Sequence, residues 1–212
     1  MDKIITSLRL PEGEFNVEII EFKEADRKTL YFIYKKWREL SDCLIETHGR
    51  GINLPEVLSE SAFCLEMRCV RKTSTPIIGA NSSWDCYNLE TKNRIQLKAC
   101  SVIPDLTSFG SKSQWDEIFF LDFYRNGAWD GTFDIYEIES EKIYNHYVNK
   151  METFRDQQKT GKRPRLSLSN LITQNDIKAI KTGDLSKKKK KLFFFKTILK
   201  NMRLTKNGSR KF

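Results

Sequence analysis

Between residues 24 and 48, in EADRKTLYFIYKKWRELSDCLIETH, apolar side chains recur at Leu30, Ile33, Trp37, Leu40 and Leu44. Steps of three and four lay these side chains along one helical face, and Gly49 follows as a natural stop. NLPEVLSESAFCLEMRCV predicts a second helix that opens at Asn53 as N-cap, with Pro55 shortly after it. The turn-rich RKTSTPIIGANSS ends that helix. The period then shortens to two. SWDCYNL (83–89) and RIQLKACS (94–101) alternate like half-buried strands joined by the polar turn ETKN. EIFFLDFY (117–124) and GTFDIYEIE (131–139) read as two further strands linked by RNGAWD. The first of these is apolar on both faces, as expected of a central strand covered on both sides. DLTSFGSKSQ is a loop, SEKIYNHYVNKMETFRD resumes helical character with Ser140 as cap, and QKTGKRPRLSLSN is a basic, proline-broken loop. No internal repeat is visible. The order predicts an α/β fold, a mixed central β-sheet flanked by helices.

Length and charge refine this picture. A chain of 212 residues suits one domain with an appendage. Eleven of the 37 Lys and Arg residues lie between Leu185 and Phe212, where there is no Asp or Glu; the rest of the chain carries 26 basic against 28 acidic side chains. The net +9 therefore belongs to the tail, and an anion site in the body must come from local placement of charge. Residues 1–184 are expected to form a single domain, and 185–212 a basic tail. The tail is either a disordered phosphate-binding arm or a short amphipathic helix over 191–203, carrying Leu192, Phe195, Ile198 and Leu199. No window approaches the roughly 20 apolar residues of a membrane span, and the start has no signal-length apolar core, so a cytoplasmic protein without a membrane role is expected. Five cysteines without a CxxC pair, and two isolated histidines (His48, His146), predict packed thiols rather than a zinc site or disulfide framework.

The chemistry concentrates on RIQLKACS. Ile95, Leu97 and Ala99 face one way, and Gln96 and Lys98 the other, about 6.5 Å apart along the strand. Asp85 lies eleven residues earlier, on the partner strand of the hairpin. A short hairpin folds it back toward the Gln96 and Lys98 face. A carboxylate there can hold a divalent metal that polarises a phosphate, and a lysine can orient or deprotonate the attacking water and offset charge on phosphorus. The plainer alternative for Asp85 and Lys98 is a cross-strand ion pair on the surface.

This arrangement resembles the nuclease signature PD…(D/E)xK, with Asp85 as first acid and Gln96-Leu97-Lys98 as second half. The run SWDCYNLETKNRIQLKACS, then DLTSFGSKSQWDEIFFLDF, GTFDIYEI, IYNHYVNK and TFRDQQKTGKRPRLS, further resembles a family of small type II restriction endonucleases over roughly residues 50–170. That resemblance implies a Mg²⁺-dependent homodimer of the PD-(D/E)XK class, which makes double-strand breaks at the interrupted palindrome GCNGC. It also implies a cognate DNA methyltransferase. Gln96 departs from the signature, where Glu or Asp is usual. A compensating carboxylate is therefore sought in LPEVLSESAFCLEM, which offers Glu56, Glu60 and Glu66. Glu60 is favoured, on the flank of the buried stripe, against its reading as an ordinary solvated helix residue. The metal ligands expected on this basis are Asp85, Gln96 and Glu60.

A G·C-rich target is read in the major groove by Arg on guanine and by carboxylate on cytosine. TFRDQQKTGKRPRLS holds that chemistry densely. Arg155, Asp156 and Gln157 are expected at bases, and Lys162, Arg163 and Arg165 at bases or phosphate, against the alternative of a solvated basic loop. Thr107, Ser108 and Lys112 of DLTSFGSKSQ are expected at the backbone beside the scissile phosphate. Trp84, Trp115 and Trp129 are expected to pack rather than stack on bases. Two other readings share some of these residues. A repair nuclease would keep Asp85 and Lys98 but read DNA shape, and a catalytically dead DNA-binding module would explain Gln96.

Overall fold

The computed structural model describes residues 1–187. The chain opens with a long hairpin, β1 (Asp2–Leu10) and β2 (Gly13–Glu21), followed by α1 (Arg27–Glu46) and α2 (Glu56–Met67). Next come β3 (Val70–Lys72), β4 (Cys86–Tyr87), β5 (Arg94–Cys100), β6 (Thr107–Ser108), β7 (Glu117–Asp122) and β8 (Thr132–Ile138). The C-terminal part is α3 (Ser140–Tyr144), α4 (Phe154–Lys159), β9 (Arg165–Leu166), α5 (Leu168–Gln174) and β10 (Lys181–Asp184).

Eight strands form one mixed sheet in the order β1-β2-β3-β4-β5-β7-β8-β10; every neighbouring pair is antiparallel except β5 and β7. β6 and β9 form a separate two-stranded ribbon. β7 explains the layering. Its Phe119 and Leu121 enter a core with Leu30, Trp37 and Phe63 from α1 and α2, while Ile118 and Phe120 enter a second core with Ile143, Phe154 and Leu171 on the opposite face. An apolar strand with no polar face is stable only when both faces are covered, and here they are. The first hairpin packs around Trp84 and Tyr87 as a third core. β10 fits against β8 because Gly183 carries no side chain: a Cβ there would meet the Phe133 ring at 2.3 Å. Leu185 follows and is buried in the first core.

Several expectations are corrected. The strand over 83–89 shortens to Cys86–Tyr87, although the Asp85 backbone still bonds Ile95 on one side and Lys72 on the other. The second helix begins after Pro55, not after Asn53. SEKIYNHYVNKMETFRD is broken in two: α3 ends at Tyr144, an isolated bridge joins Tyr147 to Thr153, and Thr153 caps α4 through the Asp156 amide at 3.2 Å. Two Asn residues and polar breaks between apolar turns make local capping cheaper than one continuous helix. QKTGKRPRLSLSN contains β9 and the start of α5. Trp84 and Trp115 are buried, and Trp129 lies against the Arg38 guanidinium at 4.0 Å. Cys64, Cys69, Cys86 and Cys100 are buried free thiols, whereas Cys43 is exposed. No described helix is long and apolar enough to cross a membrane. The possible helix over 191–203 lies outside the described residues.

Candidate active site

The β4–β5 register does the positioning. Cys86 stands opposite Ile95, and the Asp85 amide donates to the Ile95 carbonyl at 2.9 Å, so Asp85 comes level with Gln96. Its Oδ2 accepts from the Leu97 amide at 2.8 Å and from the Gln96 side-chain amide. Gln96 is only 3 % exposed. Its amide nitrogen thus orients the carboxylate, which leaves Oε1 as the atom it would offer to a metal. Lys98, on the same strand face as Gln96, lies with Nζ 5.2 Å from the Phe109 ring centroid. The aromatic face attracts the ammonium without neutralising it.

Glu60 arrives from α2 and is ion-paired with Arg71 of β3. Burial, and then the nearby Asp85 charge, push its carboxyl up to about 7 against the pull of Arg71. Asp85 is also raised, by burial first, with Lys98, the Leu97 N–H and Lys72 opposing. Lys72 is lowered by burial, with Asp85 and Glu60 opposing. Asp85 raises Glu60, and Glu56 adds to the rise of Asp85; acids crowded in a buried place are what a divalent cation would relieve.

Asp85, Glu60 and Lys98 line one cleft of about 600 Å³, together with Glu56, Asp105, Thr107, Ser108 and Arg163. The donor chemistry fits a hard cation. Among the described residues no group of three or more His, Cys, Asp or Glu side chains is placed to hold a metal. A site with one or two carboxylates, completed by water and substrate phosphate, is the usual form for Mg²⁺.

Asp105 anchors the far wall of the cleft. Its two oxygens accept from the Thr107 and Ser167 hydroxyls (2.9 Å each), the Leu168 amide (3.0 Å) and both the Ser169 amide (2.9 Å) and hydroxyl (2.5 Å). Burial would raise this carboxyl, but the Ser169, Leu168 and Ser167 hydrogen bonds outweigh it and hold the group below its ordinary range. In consequence β6, which follows β5, is fixed to β9 with Thr107 opposite Leu166 and Ser108 opposite Arg165. The Phe109 amide adds a hydrogen bond to the Pro164 carbonyl at 3.0 Å.

Gln96 itself is not part of the cleft lining, and the remaining candidates lie apart from it. Arg155 pairs with Glu141 at 2.8 Å and lies 5.0 Å from the Tyr144 ring centroid. Asp156 closes the α4 capping box with Thr153. Gln157 donates to Glu152 at 3.1 Å, and Lys162 pairs with the same carboxylate at 2.5 Å. Arg165 is exposed on β9 next to Arg163, and Lys112 is exposed in the loop before β7. Sequence reasoning did not single out Asp105, Lys72, Arg71 or Phe109. Asp105 carries a weak local signal, a Pro-Asp-x-Thr turn; the other three depend on strand register and are silent in the sequence.

A family model described as Bsp6I restriction endonuclease matches residues 22–175 of the chain. The chain is also similar to the Type II restriction enzyme Bsp6I of Bacillus sp. (strain RFL6), with 33 % identity over 177 residues, 82 % of this chain and 94 % of that protein. No solved structure matches.

Proposed function

Since the chain belongs to the Bsp6I restriction endonuclease family and is a type II site-specific endonuclease, we propose that it hydrolyses both DNA strands at GCNGC as a Mg²⁺-dependent homodimer with a PD-(D/E)XK-type core. The observation that carries the catalytic part is the cleft itself. Asp85, oriented by Gln96 and the Leu97 amide, faces the same space as Glu60, Lys98, Thr107, Ser108 and Arg163. Asp85 and Glu60 would hold the metal, with Gln96 Oε1 as a neutral third donor, and a divalent cation held there would supply polarisation of the phosphate and acidification of water. Lys98 Nζ, held over Phe109, donates to the attacking water and to a non-bridging phosphate oxygen, and so offsets the charge that builds in the transition state. Thr107 and Ser108 hold the backbone beside the scissile bond, and Arg163 and Arg165 carry the duplex in register. Arg155, Asp156, Gln157, Lys162 and Lys112 extend that contact to bases and flanking phosphates.

A two-fold target calls for two copies, each cutting one strand. The activity implies a cognate DNA methyltransferase to protect the host, and a cytoplasmic setting. The basic segment 185–212 adds non-specific, salt-sensitive affinity. The test is a digest of unmethylated plasmid of known sequence with and without Mg²⁺, followed by mapping of the ends. Discrete Mg²⁺-dependent fragments ending at every GCNGC support the reading. Discrete fragments ending elsewhere keep the chemistry and replace the target. Binding without cutting in Mg²⁺ or Mn²⁺ sinks the catalytic assignment.

A further inference from the structure

Helix α1 buries one side against the sheet and leaves a second apolar side uncovered. Leu30, Tyr34 and Trp37 enter the core, but Phe32 (57 % exposed), Ile33, Leu40 (52 % exposed) and Leu44 do not. At about 100° per residue these four side chains, with exposed Cys43 among them, span an arc of roughly 120° along a helix about 30 Å long. Soluble helices ordinarily present charge on the side away from the core. Exposed Lys36 lies within that arc, between a Phe32–Ile33 patch and a Leu40–Leu44 patch, and exposed apolar patches of this kind mark an interaction surface.

The charges beside the stripe say what covers it. The N-terminal half carries exposed Lys28, Lys35 and Lys36, and the C-terminal half exposed Glu39, Asp42 and Glu46. The sign inverts about the middle of the helix. A patch that is basic at one end and acidic at the other complements itself when two copies meet antiparallel across a two-fold axis, and repels itself when they meet parallel. The core face of α1, not the stripe, adjoins the segment that leads to the cleft. Trp37 Nε1 donates to the Ile52 carbonyl at 3.0 Å, and the Ile52 amide donates to Ser41 Oγ at 3.0 Å, which places half-exposed Ile52 against α1. The next two residues, Asn53 and Leu54, begin the cleft wall.

We infer that α1 is the dimer interface: its Phe32, Ile33, Leu40 and Leu44 stripe packs antiparallel on the same helix of a second copy, with the basic half of each helix against the acidic half of the other. This inference rests on the two-fold reading of the activity and adds the surface that realises it.

The test is sedimentation of the full chain at micromolar concentration. The unaltered protein sediments as a dimer. Leu40→Glu places a charge in the centre of the stripe and weakens dimerisation on the order of 100-fold, with its thermal melt as a monomer intact because the position is exposed. Two charge variants keep the test decisive if Leu40→Glu fails to fold. One carries K28E, K35E and K36E, which makes the exposed charges of α1 all acidic; the other carries E39K, D42K and E46K, which makes them all basic. Each sediments as a monomer alone, and an equimolar mixture restores the dimer. A monomeric unaltered protein overturns the inference and assigns the stripe to some other cover, including residues 188–212 of the same chain. A dimer whose affinity no variant changes also overturns it, while leaving the two-fold reading in place. Conversely, an α1-dependent dimer that cuts no specific site supports the interface and removes the proposed activity.

Discussion

The two walls of the cleft are built in opposite ways. On the sheet side, Asp85 and Gln96 are held by neighbouring strands whose register fixes them from the inside, with Gln96 buried and Asp85 bonded to the Leu97 amide. On the far side, Arg163 is exposed on a segment tied to the body through Asp105, the β6–β9 ribbon and buried Leu166 and Leu168. The first wall is rigid because removing any part of it breaks a ladder. The second is rigid because one carboxylate gathers five donors. Chemistry that needs sub-ångström placement belongs on the first kind of wall, and contact with a long, deformable ligand suits the second.

That contrast can be broken most severely at the sheet. Asp85→Ala and Lys98→Ala are each expected to slow single-turnover plasmid cleavage by at least about 10³-fold, while a gel-shift measurement shows specific binding close to the parental affinity. Parental cleavage in either variant would remove that residue from the chemistry. Asp105→Ala should loosen the far wall instead. Loss of five hydrogen bonds at a buried carboxylate is expected to destabilise the fold by about 3 kcal/mol, read as a lower denaturant midpoint, and to reduce discrimination against near-cognate sites more than it reduces binding to random DNA. An unchanged midpoint would show that the wall is held by the β6–β9 ribbon alone.

A smaller effect separates the arginines. Arg163→Ala, from the cleft lining, is expected to weaken binding about tenfold for all duplexes and to lower the salt slope by about one, the signature of a phosphate contact. A loss confined to the specific duplex would move Arg163 to the bases. The smallest expected effect is a pH slope. Glu60 has an ordinary value of 4.5 and stands near 7 in the fold. Between those values the folded chain binds more protons than the unfolded one, so stability falls as pH rises through that window. Glu60→Gln should remove this component, giving a flatter unfolding free energy between pH 5 and 7 in urea titrations. An unchanged slope would place the titration on another group.

The sequence made the sheet side far more legible than the other. Alternation in RIQLKACS and the doubly apolar EIFFLDFY place β5 and β7, and a short hairpin places Asp85 beside Gln96; these are local patterns with a fixed period. The second wall depends on side-chain hydrogen bonds over 62 to 64 residues, from Asp105 to Ser167, Leu168 and Ser169, and no periodicity announces such contacts. The helix expected through 140–156 failed for a related reason. Caps by Thr153 and turns by Asn149 satisfy backbone groups locally, so segment-wide helical propensity is overridden. The N-terminal hairpin, with Ile5 and other apolar groups outward, and the two-residue strands β6 and β9 fall below what pattern alone resolves.

The parallel pairing of β5 with β7 has a consequence for how this enzyme acquires new targets. Parallel neighbours cannot be joined by a tight turn, so the chain must leave the end of β5, cross outside the sheet and return through residues 101–116 before β7 begins. That detour is the segment which lines the cleft. Doubling the length of a flexible loop adds only about 0.6 kcal/mol of closure entropy. Insertions or exchanges at the exposed positions of the crossover, away from Asp105, Phe109 and Trp115, can therefore change what the protein touches, while the ladder that aims Asp85 stays in register. Topology has placed exposed, exchangeable positions of the crossover, Val102, Ile103 and Leu106, beside the fixed Asp105 anchor and the ladder, an arrangement open to directed evolution by loop grafting.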